Sequence, residues 1–152
     1  MEKDMKIRKF IATTIRKYLN ENINDDITIS DYAHASFIDG KVFKIDGGRL
    51  IIGKYSYKKP YGIVDLFVDE EFRRKGIATK LIKYAMNYFE DGFMAQVSNQ
   101  NSLDLHYKLG FRSFDNNLNP QDYNESQNRL MNNSSVGMAS PKLLSNLGKY
   151  FK

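Results

Sequence analysis

The chain has 152 residues, 41% of them hydrophobic and 27% charged, which is long enough for one globular domain with its own core. It has no cysteine and only two histidines, which excludes disulfides, thiol catalysis and a typical zinc cluster, so we predict no metal site. No apolar run approaches the roughly 20 residues of a membrane span, and the N-terminus lacks the apolar stretch of a signal peptide. We therefore expect one cytoplasmic domain over residues 1–152, without a membrane partner.

The formal net charge is +5, and much of the positive charge lies in two places. Residues 1–20 carry six lysines and arginines against two acidic residues, and Arg73, Arg74 and Lys75 form a second basic run. A nucleotide-bearing ligand, an anionic macromolecule and ordinary surface solvation each account for such a charge. The charge alone does not separate these alternatives.

Residues 4–19 form the first predicted element, a basic amphipathic helix. Its apolar side chains recur at helical spacing, for example at Ile7, Ile11 and Ile15. Such a stripe either docks on the core of the domain or lies on a membrane surface. We favour docking on the core, because the chain continues into a full domain.

The next part of the chain reads as a region of hairpins. Asp39-Gly40 and Asp46-Gly47-Gly48 are strong signals for tight turns between antiparallel strands. The segments Phe43–Ile45 and Leu50–Tyr57 are the predicted paired strands.

Residues 62–89 hold the most informative pattern of the chain. An apolar strand, Gly62–Val68, is followed by the basic turn Phe72–Ala78 and by a helix predicted over 76–89. A turn that ends in glycine at the start of a helix directs backbone N–H groups and the positive end of the helix toward an anion. Three consecutive cations add long-range attraction. The pattern predicts a ligand that carries a pyrophosphate.

A second strand and helix follow the first pair. Phe93–Val97 is predicted as a short buried strand and Ser102–Leu109 as a helix, which Gly110 ends in the left-handed conformation. Phe111–Phe114 is predicted as a further strand. Strand, helix, strand and helix in succession over residues 62–114 indicate a parallel strand pair, and together with the hairpins they predict a mixed α/β sheet.

The last part of the chain begins with a polar stretch. Residues 115–133 are dominated by Asn, Gln, Asp and Ser, so we predict a polar loop there. Ser134–Ser140 is predicted as a final short strand, which Pro141 ends, and Leu143–Phe151 as a weakly amphipathic tail.

The basic turn resembles the acyl-CoA signature of the GNAT superfamily of N-acetyltransferases, Arg/Gln-x-x-Gly-x-Gly/Ala. Arg73, Gly76 and Ala78 occupy its three defined positions. The segment from Asn99 to Phe111 resembles the next motif of that family, Asn-x-x-Ala/Ser-x-x-Leu/Phe-Tyr-x-x-x-Gly-Phe. The two motifs stand in the expected order, one strand apart, which makes the resemblance much more specific than either motif alone.

The resemblance implies both a fold and a cosubstrate. The fold is a mixed, mostly antiparallel twisted sheet with a central parallel strand pair, flanked by helices, and the cosubstrate is acetyl-CoA. The implied acetyl-CoA contacts are Leu66, Phe67, Val68, Arg73, Arg74, Lys75, Gly76, Ile77, Ala78, Asn99 and Ser102. By the same analogy the polar segment 115–133 borders the acceptor site.

The chain departs from the family motif at the position of its tyrosine. His106 stands there, and Tyr107 follows one residue later. Adjacent helical residues point about 100° apart, so the two side chains do not both face the thioester sulfur. Either residue is a candidate for protonating the leaving thiolate, and the register of the motif favours His106.

Acetyl transfer to an amine also needs a neutral amine and a donor for the oxyanion. Asp65 is the candidate base if the strand buries it, because burial would raise its pKa; the alternative is a position that faces solvent. The resemblance implies a backbone N–H of the strand around Leu66 to Val68 as the oxyanion donor.

The predicted function is acetyl transfer from acetyl-CoA directly to a primary amine. A small molecule, a protein amine and an aminoacyl-tRNA all remain possible acceptors, so the partner is an amine, a protein or a tRNA, and the chain is a monomer or a homodimer. The alternative is a non-catalytic acyl-CoA-binding module that binds a protein or nucleic acid, which the missing tyrosine favours.

Overall fold

The computed structural model describes residues 26–151, and the predicted helix over 4–19 lies outside the described residues. Within this range the strands form a single sheet in the order β1-β2-β3-β4-β5-β6. Their bounds are β1 Thr28–Asp31, β2 Asp39–Ile45, β3 Gly48–Lys54, β4 Tyr61–Val68, β5 Phe93–Val97 and β6 Val136–Ala139. Neighbours are antiparallel except β4 and β5, which are parallel. The mixed, mostly antiparallel sheet with one parallel pair confirms the predicted fold class.

Helices flank this sheet. They are α1 Ile77–Tyr88, α2 Gln100–Lys108, α3 Tyr123–Asn133, α4 Pro141–Leu144 and α5 Leu147–Tyr150, and a single 3-10 turn spans Glu70–Phe72. The positions of the β2–β3 hairpin, α1, β5 and α2 agree with the sequence prediction to within a few residues. Between residues 26 and 151 no helix is long and apolar enough to cross a membrane.

The main core lies between α1 and the centre of the sheet. Phe43, Leu50 and Ile52 alternate along β2 and β3 and are fully buried, because alternate strand residues face the same side of a sheet. Leu81 and Ile82 of α1 are buried there as well. Each such side chain contributes roughly 1.5–3 kcal/mol through burial, so this layer fixes α1, and with it the turn that precedes α1.

A β-bulge in β4 opens the sheet. Ile51 pairs with Asp65 and Ile52 with Ile63, which leaves Val64 without a partner on β3. On its other side β4 pairs with β5 only at Tyr61 and Gly62. A bulge bends its strand and increases the local twist. The second half of β4 therefore diverges from β5 and leaves a cleft between two parallel strands.

The polar segment 115–133 is a loop only in its first part, so the prediction of a loop over its whole length is wrong. Residues 123–133 form α3, whose start is capped by the Asp122 carboxylate, which accepts a hydrogen bond from the Glu125 N–H at 2.9 Å. Leu130 is buried. A capped helix with so few apolar residues is stable here because its polar side chains find partners in the folded protein.

The partners of α3 lie in the segment that precedes it. The hydroxyls of Ser113 and Ser126 are 2.7 Å apart and both residues are buried. Ser113 also donates to the Gln121 side-chain oxygen at 2.8 Å, and Arg129 donates to the same oxygen at 3.0 Å. This network ties α3 to the chain before it, and composition alone did not reveal it.

The predicted strand Phe111–Phe114 is also wrong in extent. The structure has only two isolated bridges there, from Arg112 to Ala139 and from Phe114 to Pro120. The segment is short because turns bound it on both sides: Gly110 has a φ of 94°, and the Asp115 carboxylate accepts from two following backbone amides at 2.9 Å. The final strand is confirmed as β6, and the predicted tail forms α4 and α5.

Candidate active site

The basic turn between β4 and α1 has an unusual backbone. Arg74 has a φ of 64° and Gly76, the N-cap of α1, has a φ of 76°. A positive φ is ordinary for glycine, but it costs an arginine of the order of 1–3 kcal/mol. Such local strain is common where a backbone is shaped to receive a ligand.

This backbone presents a row of free N–H groups. Within the described residues, the amides of residues 74–79 make no hydrogen bond, and the first intrahelical bond of α1 runs from Lys80 to Gly76 at 3.0 Å. A Cβ placed on Gly76 would meet nothing within 4 Å, so open space lies in front of the turn. The start of α1 adds the partial positive charge of a helix N-terminus. The turn is therefore a site shaped for an anion.

The three cations of the turn are exposed. Arg73 donates to the carbonyl of Val68 at 3.5 Å, and the Lys75 ammonium lies 5.3 Å from the centre of the Phe72 ring. Phe72 in turn fills the space above Gly47, where a Cβ would come within 2.2 Å of the ring. The turn is thus supported by the β2–β3 hairpin while its charges stay in solvent.

The cleft between β4 and β5 leads toward α2 and has a volume of about 280 Å³. Its walls come from the second half of β4, from β5 and from one face of α2. The lining residues are Ile63, Val64, Asp65, Leu66, Ala95, Gln96, Ser102 and His106. The cleft therefore brings together four of the residues predicted from sequence: Asp65, Leu66, Ser102 and His106.

The backbone of β4 turns alternate amides into this cleft. Asp69 donates to Gly47 at 2.8 Å, on the side of β3, and amides alternate along an antiparallel strand. The N–H of Phe67 therefore also points to β3, whereas those of Leu66 and Val68 point away from it. Because β5 has diverged at this height, these two N–H groups are donors without a partner strand. Of the three predicted β4 contacts, Phe67 is thus the one whose N–H points toward β3 and not into the cleft.

His106 is the most buried polar residue of the cleft, with 3% of its surface exposed. Its Nδ1 lies 2.7 Å from the Ser102 carbonyl oxygen, and its ring meets Phe111 edge-on at 5.0 Å. Nε2 is buried and has no hydrogen-bond partner among the described residues. Burial lowers the pKa of His106, although the hydrogen bond to Ser102 acts in the opposite direction.

Tyr107 points in a different direction, as the angle between adjacent helical residues requires. Its ring lies under the Arg112 guanidinium at 3.5 Å and meets Tyr123 of α3 edge-on at 5.4 Å. The side chain thus joins α2 to α3 and does not line the cleft. Of the two candidates for the acid, only His106 lines the cleft.

Asp65 lies in the cleft without being deeply buried. Its side chain is 43% exposed, and its carboxylate accepts from the Arg49 guanidinium at 3.3 Å. The burial that would have suited it to proton abstraction is absent. What Asp65 offers is a carboxylate at the mouth of the cleft, partly accessible to a cation.

Asn99 and Ser102 have structural partners at the start of α2. The Asn99 side-chain oxygen accepts from the Ser102 N–H at 2.8 Å and so caps the helix. The Ser102 hydroxyl lies 3.3 Å from His106 Nδ1 and lines the cleft.

Several parts of this site were not predicted from the sequence. Arg49 directly follows a turn pattern and was not singled out. Gln96 lies in a strand that was predicted to be buried, although a polar residue between Ala95 and Val97 indicates an exposed position. The bulge at Val64 has no signal in the sequence.

The family model for the acetyltransferase (GNAT) family matches residues 10–111. No curated protein sequence matches the chain.

Among solved structures, a GNAT family acetyltransferase from Elizabethkingia anophelis with acetyl-CoA bound is 17% identical, with a TM-score of 0.48, and the match covers 76% of this chain and 98% of that one. An IAA acetyltransferase from Bacillus cereus ATCC 14579 is 18% identical, with a TM-score of 0.46, over 75% of this chain and 98% of that one. The ribosomal-protein-S18-alanine N-acetyltransferase from Escherichia coli is 14% identical, with a TM-score of 0.45, over 79% and 83%. The family model spans more than half of the chain, and the chain therefore belongs to the acetyltransferase (GNAT) family.

Proposed function

We propose that the protein transfers an acetyl group from acetyl-CoA directly to a primary amine. The observation that carries this proposal is the continuity of β4 with the anion-binding turn. The free N–H groups of Leu66 and Val68 lead along one strand to the free amides of residues 74–79. A ligand with a pyrophosphate at one end and a reactive carbonyl at the other matches that arrangement of donors.

The turn fits the pyrophosphate of CoA on chemical grounds. Backbone amides in a strained loop, a helix N-terminus and three exposed cations all favour a ligand with several negative charges. Arg73, Arg74 and Lys75 supply the attraction, and Gly76 keeps the space in front of the amides open.

The cleft supplies groups for the reaction itself. An N–H of Leu66 or Val68 stabilises the negative charge that develops on the thioester oxygen, and such a donor contributes roughly 10²–10³ in rate. The Asp65 carboxylate at the mouth attracts the acceptor as its ammonium form. His106 lies deeper, beside the space for the sulfur. Most of the catalysis is positioning of the two reactants together with proton transfer.

The acceptor belongs to the class of primary amines, as a small molecule, a protein amine or an aminoacyl-tRNA. The carboxylate of Asp65 favours acceptors that arrive with a positive charge. Segment 115–122 and α3 follow the strand and helix that build the cleft, and we propose that they border the acceptor.

A thiol-detection assay of CoA release, with a panel of amines that includes polyamines, aminoglycosides, lysine and peptide N-termini, tests this function. Mass spectrometry of the accepted amine identifies the acetylated product. We expect release that depends on the amine and that is lost in the double variant Asp65→Asn, His106→Gln. Two results together would instead favour the non-catalytic module. Acetyl-CoA would bind tightly without CoA release for any amine, and the double variant would keep the function of the wild-type protein in cells.

A further inference from the structure

We propose that His106 is the proton acceptor of the reaction, and that the Ser102 carbonyl fixes it in this role by holding the proton of the ring on Nδ1. The inference deepens the proposed acetyl transfer and rests on it. It extends the role that the family motif suggests for this position, where a hydroxyl serves as proton donor: His106 first accepts the proton that it later gives to the sulfur.

The hydrogen bond to Ser102 decides the tautomer. A backbone carbonyl oxygen only accepts hydrogen bonds, so the ring nitrogen that lies 2.7 Å from it must carry a hydrogen. In a neutral imidazole the other nitrogen then has a lone pair and no hydrogen. The Ser102 hydroxyl, at 3.3 Å from the same Nδ1, adjusts to either role and does not change this assignment.

The position of Nε2 points to a ligand. It is buried, it belongs to a residue with 3% exposure, and it has no partner among the described residues. A buried acceptor without a donor is costly, which is why such atoms are rare in folded proteins. Here it belongs to a side chain that lines the cleft. A donor N–H from a bound amine satisfies it.

The surroundings keep His106 neutral. Of the described residues that line the cleft, Asp65 on β4 is the one titratable group besides His106, and its half-exposed carboxylate pairs with Arg49 at 3.3 Å. β5 contributes Gln96, whose amide donates to Ser135 at 2.8 Å, and the Phe111 ring covers the edge of the imidazole. The lowered pKa of His106 agrees with this burial. A neutral ring with hydrogen on Nδ1 has no proton at Nε2 to donate.

His106 therefore has to accept a proton at Nε2 before it can give one to the sulfur. His106 Nε2 takes the proton of the amine nitrogen as the new C–N bond forms. It returns that proton to the sulfur when the C–S bond breaks, which yields the amide and free CoA. An acceptor that arrives as ammonium first loses one proton to the solvent. From the neutral amine onward no further proton is gained or lost, and His106 ends in its starting tautomer.

The tautomer is measured by NMR of protein labelled with ¹⁵N-histidine, near neutral pH and without substrate. The chain has only two histidines, and the structure assigns them opposite tautomers. His34 Nδ1 accepts from the Ser36 N–H at 3.1 Å, so His34 carries its hydrogen on Nε2 and serves as an internal reference. The variant His34→Gln assigns the spectrum. We expect hydrogen on Nδ1 for His106; hydrogen on Nε2, or an imidazolium, would overturn the inference.

Two substitutions at one position give a second readout. Neither His106→Tyr nor His106→Gln has a proton acceptor of suitable basicity, so we expect both to lower kcat about 100-fold, within the ~10²–10⁴ range of such groups, with acetyl-CoA affinity preserved. A proton donor would be replaced well by tyrosine, so wild-type kcat in His106→Tyr alone would contradict the inference. If no amine of the panel causes wild-type protein to release CoA, the proposed function and this inference are both overturned. If the protein is active but His106 has the Nε2–H tautomer, only the inference is overturned.

Discussion

The two ends of the site are built in different ways. The proposed anion-binding end, residues 72–79, consists of backbone amides held by a strained turn, whereas the proposed reaction end consists of side chains that three separate elements bring together. A backbone site needs only a short stretch of chain with the right φ angles. A side-chain site needs β4, β5 and α2 in their places. The first is therefore readable from local sequence, and the second is sensitive to packing and to pH.

Substitution of Gly76 should break the anion-binding end alone. Gly76→Asp places a carboxylate in the open space before the amides and forces a side chain into a φ of 76°. We expect acetyl-CoA affinity to fall at least about 100-fold, which corresponds to about 2.7 kcal/mol. Calorimetric titration measures it. Gly148→Asp is the matched control, because Gly148 is exposed in α5 and a Cβ there also meets nothing. Equal losses of acetyl-CoA affinity in both variants would show that the added negative charge, and not the backbone of the turn, causes the loss.

The buried histidine should make the stability of the protein depend on pH. Burial lowers the pKa of His106 in the folded state, so between this value and the unfolded value of about 6.5 the unfolded chain binds more protons. The contribution of His106 to the free energy of unfolding is therefore fully present at pH values above its unfolded pKa. It is lost as the pH falls toward its folded pKa. Urea unfolding at about pH 7.5 and 5.5 should show a larger loss for wild type than for His106→Gln. His34 is present in both proteins and cancels, and equal losses would argue against a buried neutral ring.

Substitution of Asn99, which lies between the two ends, separates its effect on stability from its effect on acetyl-CoA affinity. Its side chain caps α2, so Asn99→Ala should lower the free energy of unfolding by about 1 kcal/mol, while Asn99→Ser keeps a cap and should leave stability nearly unchanged. Thermal or urea unfolding checks this. If Asn99→Ser binds acetyl-CoA more weakly at unchanged stability, the side chain contacts the ligand as the family resemblance implies.

The ion pair at the mouth of the cleft should matter least for stability. Arg49 and Asp65 are about half exposed, and exposed pairs contribute roughly 0–1 kcal/mol. Arg49→Met should change the free energy of unfolding by no more than that, as should Lys149→Met, which breaks a similar exposed pair elsewhere. A much larger loss for Arg49→Met than for Lys149→Met would mean that the cleft depends on this pair.

Local signals predicted much of the fold and failed where stability comes from distant partners. The turn before α1, the β2–β3 hairpin and the C-terminal end of α2 at Gly110 are each set by residues within one turn of each other. α3 was missed because its polar side chains are stabilised by Ser113 and Gln121, which lie before it in the chain. Propensity and composition do not contain such contacts.

The sequence by itself determined the family and the position of the basic turn at the start of α1, because a glycine, three cations and the start of a helix act within a few neighbouring residues. It also placed His106 at the position of the family tyrosine. Only the tertiary structure decided what His106 can do. The bulge at Val64 opens the cleft, the packing of α2 buries the ring, and the carbonyl one helical turn back fixes its proton. The burial of His106 depends on how elements pack, and no local pattern encodes it.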